Sequence, residues 1–282
     1  MARTVDRAVL DAWYCIGSAA HMPAKPAADR LLGRPLVVSR TAGAVSVHSD
    51  GAALPVRLRH GMIWATLGAP DRDIIDLPEA AEADRRTVPC GGVIVNASGL
   101  RIVENFLDMA HFPYVHRDIL GAEPHTEVRH YTTEIRRDVD EVWATNCAFF
   151  QPKAAMSASG GIMAEYMYRV AAPFSVVLYK TSPNAPGRWD VICLFVQPLA
   201  PDRCRAHPLL LVLDETASTA SLIAFQQLIF LQDRIILENQ RPRLLPLEPR
   251  SEIPTRADAS SVAYRRWLKE KGVTYGTVER SS

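Results

Sequence analysis

A short-range pattern of metal ligands lies within Asn105-Phe106-Leu107-Asp108-Met109-Ala110-His111-Phe112-Pro113-Tyr114-Val115-His116. Asp108 and His111 are spaced three apart, as Asn105 and Asp108 are, so a helix would place them along one face. His116 lies five residues after His111, and Pro113 between them disrupts a helical interior. A bend there would bring the two imidazoles to one metal ion, with Asp108 behind them as a hydrogen-bond acceptor.

A carboxylate that would complete such a site is predicted on a long helix from about Glu215 to Gln240, ended by Pro242. Asp233 in this helix has apolar residues at the four positions that share its face, namely Ile229, Phe230, Ile236 and Leu237. Burying an unpaired carboxylate is costly, so Asp233 needs a cation or strong hydrogen-bond donors. A metal held by two neutral histidines meets that need, and an ion pair with an arginine such as Arg169 or Arg241 is the alternative.

The composition is that of an ordinary soluble globular protein, with 282 residues of which 48% are hydrophobic and 22% charged. A net charge of +1 gives no electrostatic case for binding nucleic acid or an anionic membrane surface. No unbroken apolar run approaches the roughly 18 residues of a membrane span, and Asp6 and Arg7 interrupt any signal peptide. Five scattered cysteines argue against a disulfide framework. We therefore expect a cytoplasmic protein with no membrane or nucleic-acid partner.

The pattern of strands and helices divides the chain into two predicted domains of an α+β fold. Residues 1–88 show short strands and turns, including a hairpin from Pro35 to His48 that turns at Arg40-Thr41-Ala42-Gly43. Residues 89–282 show antiparallel strands between about Glu127 and Leu213, followed by the long helix. An antiparallel sheet that curves around a long carboxy-terminal helix is a helix-grip domain.

The complete pattern N-x2-D-x2-H-x4-H, from Asn105 to His116, resembles the mononuclear iron site of Rieske non-haem iron oxygenases. The resemblance implies that His111 and His116 ligate Fe(II), which activates O2. It also implies catalytic roles for Asn105 and Asp108, with Asp108 carrying electrons inward from a neighbouring Rieske cluster. The segment from Gln232 to Gln240 is similar to the family's segment around its third iron ligand, which supports Asp233 in that role.

The family's cluster ligands are missing from the first domain, which otherwise resembles a truncated Rieske-type β subdomain. The family pattern needs one C-x-H and one C-x2-H, but the C-x2-H of this chain, Cys204 to His207, has no C-x-H upstream. We interpret Cys204 and His207 as strand residues and expect no [2Fe-2S] cluster in this chain. The resemblance then implies a separate Rieske- and flavin-containing reductase as electron donor, and a trimeric or hetero-oligomeric assembly in which a further subunit is possible.

Three more segments resemble Rieske-less oxygenase subunits of bacterial methylxanthine breakdown, namely Asp118 to His125, Tyr179 to Ser182 and Ala263 to Leu268. This resemblance implies hydroxylation of an N-methyl group to a carbinolamine that collapses to N–H and formaldehyde. The implied substrate is 7-methylxanthine, which would give xanthine. Two alternatives stay open: a catalytically inactive structural subunit, and a helix-grip protein that binds a small aromatic ligand.

Substrate contacts are predicted from the long helix and from the loop Gln151 to Gly161, which is rich in small residues and suited to lining a pocket. Gln226 lies two helical turns before Asp233, where its amide would pair with a purine edge while Phe230 packs on the ring. The rest of the predicted lining comprises Phe149, Met156 and Met163. Plain core packing is the alternative for all five side chains.

Overall fold

The computed structural model describes residues 6–41, 43–157, 160–249 and 251–279. The amino-terminal part contains one short helix and seven short strands: α1 (Arg7–Leu10), β1 (Tyr14–Ser18), β2 (Ala27–Leu31), β3 (Arg34–Thr41), β4 (Ala44–Ser49), β5 (Ala52–Ala53), β6 (Val56–Arg59) and β7 (Met62–Ala65). They form two antiparallel sheets, one in the order β1-β7-β6 and one in the order β2-β3-β4-β5. The pairing of β3 with β4 confirms the predicted hairpin, although Ala42 of its turn lies outside the described residues.

The remainder is built from eight strands and four helices: β8 (Arg86–Pro89), β9 (Val93–Val95), α2 (Gly99–Leu107), α3 (Phe112–Val115), β10 (Thr132–Arg136), β11 (Glu141–Gln151), β12 (Ile162–Ala172), β13 (Ser175–Thr181), β14 (Trp189–Ala200), β15 (Arg203–Val212), α4 (Thr219–Asn239) and α5 (Ala259–Glu270). The strands form one antiparallel sheet in the order β10-β11-β12-β13-β14-β15-β8, with β9 also paired to β15. This sheet and the long helix α4 confirm the predicted α+β fold. The division after residue 88 stays a prediction, and β8 spans it.

Alternation along β12 shows how the large sheet divides its side chains between two faces. Ala164, Tyr166 and Tyr168 are buried on the face toward α4, whereas Met163 and Glu165 between them are exposed on the opposite face. On the neighbouring strands the opposite face is covered as well, because side chains of β13 and β14 pack there against β1 and β7. The central strands are therefore buried on both sides, and the face toward α4 is free to line a site.

The long helix α4 has 21 residues, and its most apolar stretch of 18 residues has a mean hydropathy of 1.3 and is 22% buried. By length and composition α4 could span a membrane. The search of the sequence for unbroken apolar runs did not find this helix. The core helix of a soluble protein can have the same length and composition. In this fold α4 lies beside β8 and β9, where Gln227 Nε2 donates to Cys90 O (2.8 Å) and the Asn96 backbone N–H donates to Glu238 Oε1 (2.9 Å).

Helix α2 is held in place by buried ion pairs with the carboxy-terminal part of the chain. The fully buried guanidinium of Arg101 contacts Glu104 and Glu252, and Arg265 of α5 binds the same two carboxylates. Ser260 Oγ of α5 donates to Leu107 O at the last residue of α2 (3.1 Å). The segment Ala263 to Leu268 thus anchors the helix that precedes the candidate site.

Candidate metal centre

The ligand-bearing stretch is a loop with one helical turn, and it differs from the predicted helix. Helix α2 ends at Leu107, because Asp108 takes an extended conformation and its Oδ1 accepts a hydrogen bond from the Ala110 backbone N–H (2.7 Å). Our prediction that Asp108 and His111 share a helical face was therefore wrong. Pro113 does not interrupt a helix but stands in the first turn of α3, where its missing N–H costs nothing.

The loop nevertheless brings the two histidines together with the carboxylate of α4. His111 Nε2 and His116 Nε2 are 3.1 Å apart, and Asp233 Oδ1 lies 3.3 Å from the first nitrogen and 2.9 Å from the second. At metal–ligand distances of about 2.1 Å, neighbouring ligands of an octahedral ion lie roughly 3.0 Å apart. The site thus offers two nitrogens and one oxygen at these separations. This is the composition of a facial triad for non-haem Fe(II).

Each histidine is oriented by a hydrogen bond through its other ring nitrogen. His111 Nδ1 donates to Asp108 Oδ2 (2.9 Å), and His116 Nδ1 donates to Gln232 Oε1 (2.8 Å). With the proton on Nδ1, both histidines present an unprotonated Nε2 toward Asp233, as metal binding requires. Sequence analysis predicted the contact of Asp108 but missed that of Gln232, although Gln232 directly precedes Asp233.

The electrostatics of the triad favour a cation between the three side chains. Burial lowers the pKa of His111, but the hydrogen bond with Asp108 and the negative charges of Asp108 and Asp233 outweigh burial and raise the pKa to about 9. For Asp233, burial raises the pKa, and the contacts with His111 and His116 outweigh it and lower the pKa. A proton on His111 and a metal ion therefore compete for the same place between two carboxylates.

Asp233 has a buried carboxylate oxygen that lacks a hydrogen-bond partner among the described residues. Its side chain is 12% exposed, and its Oδ1 meets neither histidine with the geometry of a hydrogen bond. The alternative ion pairs do not form, because Arg169 binds Glu141 and Arg241 donates to main-chain oxygens of Glu238 and Gln240. A buried carboxylate oxygen without a hydrogen bond, beside two imidazole nitrogens that can bind a metal once unprotonated, fits a divalent metal ion.

Gly121 permits the close packing behind the loop. A Cβ atom at this position would lie 2.6 Å from Pro113 N and 2.9 Å from Phe112 C, so only glycine allows this approach. Main-chain hydrogen bonds from Ile119 and Leu120 to His116 O (both 3.0 Å) continue the same packing. The segment after His116 thus supports the loop that carries both histidines.

A cavity of about 120 Å³ opens from the triad between α4 and the large sheet. Of the predicted substrate contacts, Gln226, Phe230 and Met156 line it, and so does Asn105. Phe149 does not line the cavity; it is buried below, with its ring 5.5 Å from that of Phe112. The prediction for Met163 was wrong, because its position in β12 points it to the exposed face of the sheet.

The predicted pocket-lining loop contributes Gln151 to the cavity as well. Sequence analysis missed the other polar side chains that line it, which come from the sheet and the segment after β15: Tyr166, Tyr168, Lys180, Asp190 and Asp214. Cys204 and His207 are strand residues, as predicted, both in β15. His207 Nε2 contacts Gln197 Oε1 (2.9 Å), and burial lowers the pKa of His207 to about 3. All five cysteines are buried and none forms a disulfide.

Comparison with known proteins adds sequence and structural relatives to this geometry. Residues 95–273 match the family described as Vanillate O-demethylase oxygenase C-terminal domain. The chain is 47% identical to the probable methylxanthine N7-demethylase NdmC of Pseudomonas sp. (strain TJI-51) over 272 residues, 95% of this chain and 96% of the relative. It is 26% identical to the methylxanthine N1-demethylase NdmA of Pseudomonas putida over 222 residues, 75% of this chain and 58% of that protein.

Two solved structures share the fold at low sequence identity. The structure of Pseudomonas putida CBB5 NdmA with caffeine aligns with a TM-score of 0.77 at 18% identity, covering 94% of this chain and 92% of that one. Dicamba monooxygenase bound to dicamba aligns with a TM-score of 0.67 at 18% identity, covering 94% of this chain and 98% of that one. The similarity therefore extends over both the small amino-terminal sheets and the large sheet with α4.

Proposed function

Because this chain belongs to the oxygenase family of vanillate O-demethylase and the methylxanthine N-demethylases, we propose that it is an iron-dependent oxidative N-demethylase of a methylxanthine. The substrate proposed is 7-methylxanthine, since the probable N7-demethylase matches this chain over nearly its whole length. The observation that carries the proposal is the convergence of His111, His116 and Asp233 at one end of a cavity of suitable size.

Each protein group has a defined part in the proposed reaction. His111, His116 and Asp233 would hold Fe(II), which would supply O2 activation when bound. Phe230 and Gln226 orient the flat heterocycle so that its N-methyl group faces the triad. The buried, mostly apolar walls limit access of water to the reacting methyl group.

The proposed reaction balances with two electrons and two protons. One oxygen atom of O2 enters the N–CH3 group as N–CH2OH, and the other leaves as water. The carbinolamine then loses formaldehyde and keeps a proton on nitrogen, which gives the N–H product. The electrons come from outside this chain, and we propose a separate Rieske- and flavin-containing reductase as their source, with Asp108 as the entry point beside His111.

The surface proposed for this partner is the outer face of α4. Leu228, Leu231, Ile235 and Ile236 are all more than 40% exposed there, on the helix that carries Gln232 and Asp233. Tyr114, between the two histidines in sequence, is 70% exposed. Apolar side chains this exposed and this close to a buried redox site indicate a protein interface, and we assign it to the cluster-bearing electron donor.

We expect Ile235→Glu to raise the KM for the reductase about 10-fold, because a charge in an apolar contact opposes docking. Iron content and the affinity for 7-methylxanthine should not change, since Ile235 is 64% exposed and absent from the cavity. Ile253→Glu, at a residue 92% exposed outside α4, is the matched control. An unchanged KM would show that the outer face of α4 is not the interface with the reductase. A changed molecular mass of the Ile235→Glu variant in solution would show that this face instead contacts other copies of this chain.

We expect Gln232→Leu to weaken Fe(II) binding about 10- to 100-fold while retaining the three ligands. The loss of the acceptor for His116 Nδ1–H frees the ring to rotate and to change tautomer. Titration of the metal-free protein with Fe(II) under anaerobic conditions measures the affinity. Gln232→Glu retains an acceptor and should bind iron at least as well as wild type; equal weakening by both substitutions would show that Gln232 does not act through His116.

The experiment that separates this function from a helix-grip binding module is metal analysis of anaerobically purified protein. The enzyme should contain close to one iron per chain and no acid-labile sulfide. A metal-free chain that binds 7-methylxanthine with unchanged affinity and shows no uptake of Fe(II) would instead identify a binding protein.

A further inference from the structure

A polar row crosses the wall of the cavity that the large sheet forms. Lys180 of β13 pairs in register with Tyr166 of β12 on one side and with Asp190 of β14 on the other. All three side chains are buried and line the cavity. Cross-strand neighbours on one face of an antiparallel sheet lie close together, so this row places a cation, a carboxylate and a phenol at one wall.

The path from the metal ligands to this row follows from ring contacts. The ring of Phe112 lies 5.1 Å from that of His111 and 6.4 Å from that of Tyr166. Lys180 stands on the next strand, about 4.8 Å beyond Tyr166. A bicyclic heterocycle with its methyl group at the triad therefore extends across Tyr166 toward Lys180.

The ammonium of Lys180 is incompletely paired. Its Nζ donates to Gln151 Oε1 (3.4 Å) and to the main-chain oxygen of Ala154. Among the described residues no carboxylate lies within ion-pair distance of Nζ, and Asp190 Oδ1 accepts instead from the Leu213 backbone N–H (2.9 Å). An ammonium has three donors, so one remains for the cavity. Burial lowers the pKa of Lys180 to about 8, partly offset by the charge of Asp190, so the amine is still mostly protonated at neutral pH.

Resting on the proposed function, we propose that Lys180 is the specificity residue that binds a ring carbonyl oxygen of the substrate on the pyrimidinedione edge, opposite the methyl group that is removed. A charged donor in an apolar cavity forms a strong hydrogen bond with a carbonyl. A buried cation without a carboxylate partner reduces folding stability. A role in binding the substrate explains why a lysine stands at this position, and a structural role does not. The buried Tyr168 hydroxyl, which has no hydrogen bond, lines the same cavity nearer to Asp108.

The test compares Lys180→Met with wild type by equilibrium binding to the iron-loaded protein under anaerobic conditions. The probes are 7-methylxanthine and 7-methylpurine, which lacks both carbonyls. Lys180→Met should weaken binding of 7-methylxanthine about 30-fold and leave binding of 7-methylpurine unchanged. Its melting temperature should equal or exceed that of wild type, because methionine fills a similar volume without a buried charge. Lys269→Met, at an exposed lysine paired with Glu248, is the control.

The contradicting results are distinct from failure of the proposed function. Equal weakening for both probes, or none for either, overturns the carbonyl contact while leaving demethylation in place. A lower melting temperature of Lys180→Met, with Lys269→Met unaffected, assigns Lys180 to the structure of the Gln151 and Ala154 wall and also overturns the proposal. If wild type binds no methylxanthine and releases no formaldehyde from one, the proposed function itself is wrong, and the assignment of Lys180 with it.

Discussion

Asp108→Asn is expected to keep iron bound and to lower turnover at least 100-fold. The substitution leaves all three proposed metal ligands in place, and one amide oxygen still accepts a hydrogen bond from His111 or from Ala110. It removes the negative charge that stabilises His111 and, as we propose, the route by which electrons enter. The measurements are iron content and formaldehyde release with the reductase present, both at saturating Fe(II) and 7-methylxanthine.

Asp118→Asn provides the matched control for this variant. Asp118 belongs to the same loop but is 79% exposed at its side chain and contacts Arg117 only at 3.9 Å, so its substitution should change neither quantity. Normal turnover of Asp108→Asn would show that electrons do not pass through this carboxylate. Loss of iron along with activity would mean that Asp108 acts through the orientation of His111 alone.

Asp233→Ala is expected to abolish stoichiometric iron binding and to lower turnover at least 1000-fold. The triad offers three protein donors, and the two remaining imidazoles would lack the third donor, the carboxylate that lies beside both Nε2 atoms. A ligand that binds only the folded state stabilises it by about 2.7 kcal/mol at one hundred times its dissociation constant. Fe(II) should therefore raise the melting temperature of wild type and leave that of Asp233→Ala unchanged.

Glu238→Ala is the control on the same helix, because Glu238 binds Arg234 and Asn96 rather than the histidines. It should cost some stability but retain iron and activity. His111→Ala should match Asp233→Ala in both measurements. If the assembled complex keeps its activity with either ligand replaced, the chain is a structural subunit, and the metal centre of the complex lies in another polypeptide.

The meeting of His111, His116 and Asp233 was largely predictable from sequence, because its decisive features are local. His111 and His116 lie within six residues of each other, and the buried Phe230 and Leu237 beside Asp233 indicated a buried carboxylate. The prediction that Ile236 shares this buried face was wrong, because Ile236 is 49% exposed. The end of α2 was not predictable from periodicity, since Asp108 captures the Ala110 N–H and so ends the helix before His111. A local side-chain hydrogen bond overrode the helical spacing, yet the same three residues still meet.

The substrate cavity was less predictable, because its walls come from strands far apart in sequence. The alternation of side chains along a strand would by itself have excluded Met163 from the cavity lining, because Met163 alternates with the inward-facing Ala164 and Tyr166. The same alternation would have placed the Lys180 side chain on the inward face of β13, which Leu178 shares. The neighbours of that lysine depend on the register between β12, β13 and β14, which local patterns do not specify.

The most direct test of the account is release of formaldehyde from 7-methylxanthine by this chain loaded with Fe(II) and combined with the Rieske-containing reductase that copurifies from its native host. We expect one formaldehyde and one xanthine per 7-methylxanthine consumed, with dependence on iron, O2 and the reductase. Formaldehyde release that persists after removal of iron would contradict the account. So would an iron-loaded, reductase-supplied chain that demethylates no methylxanthine.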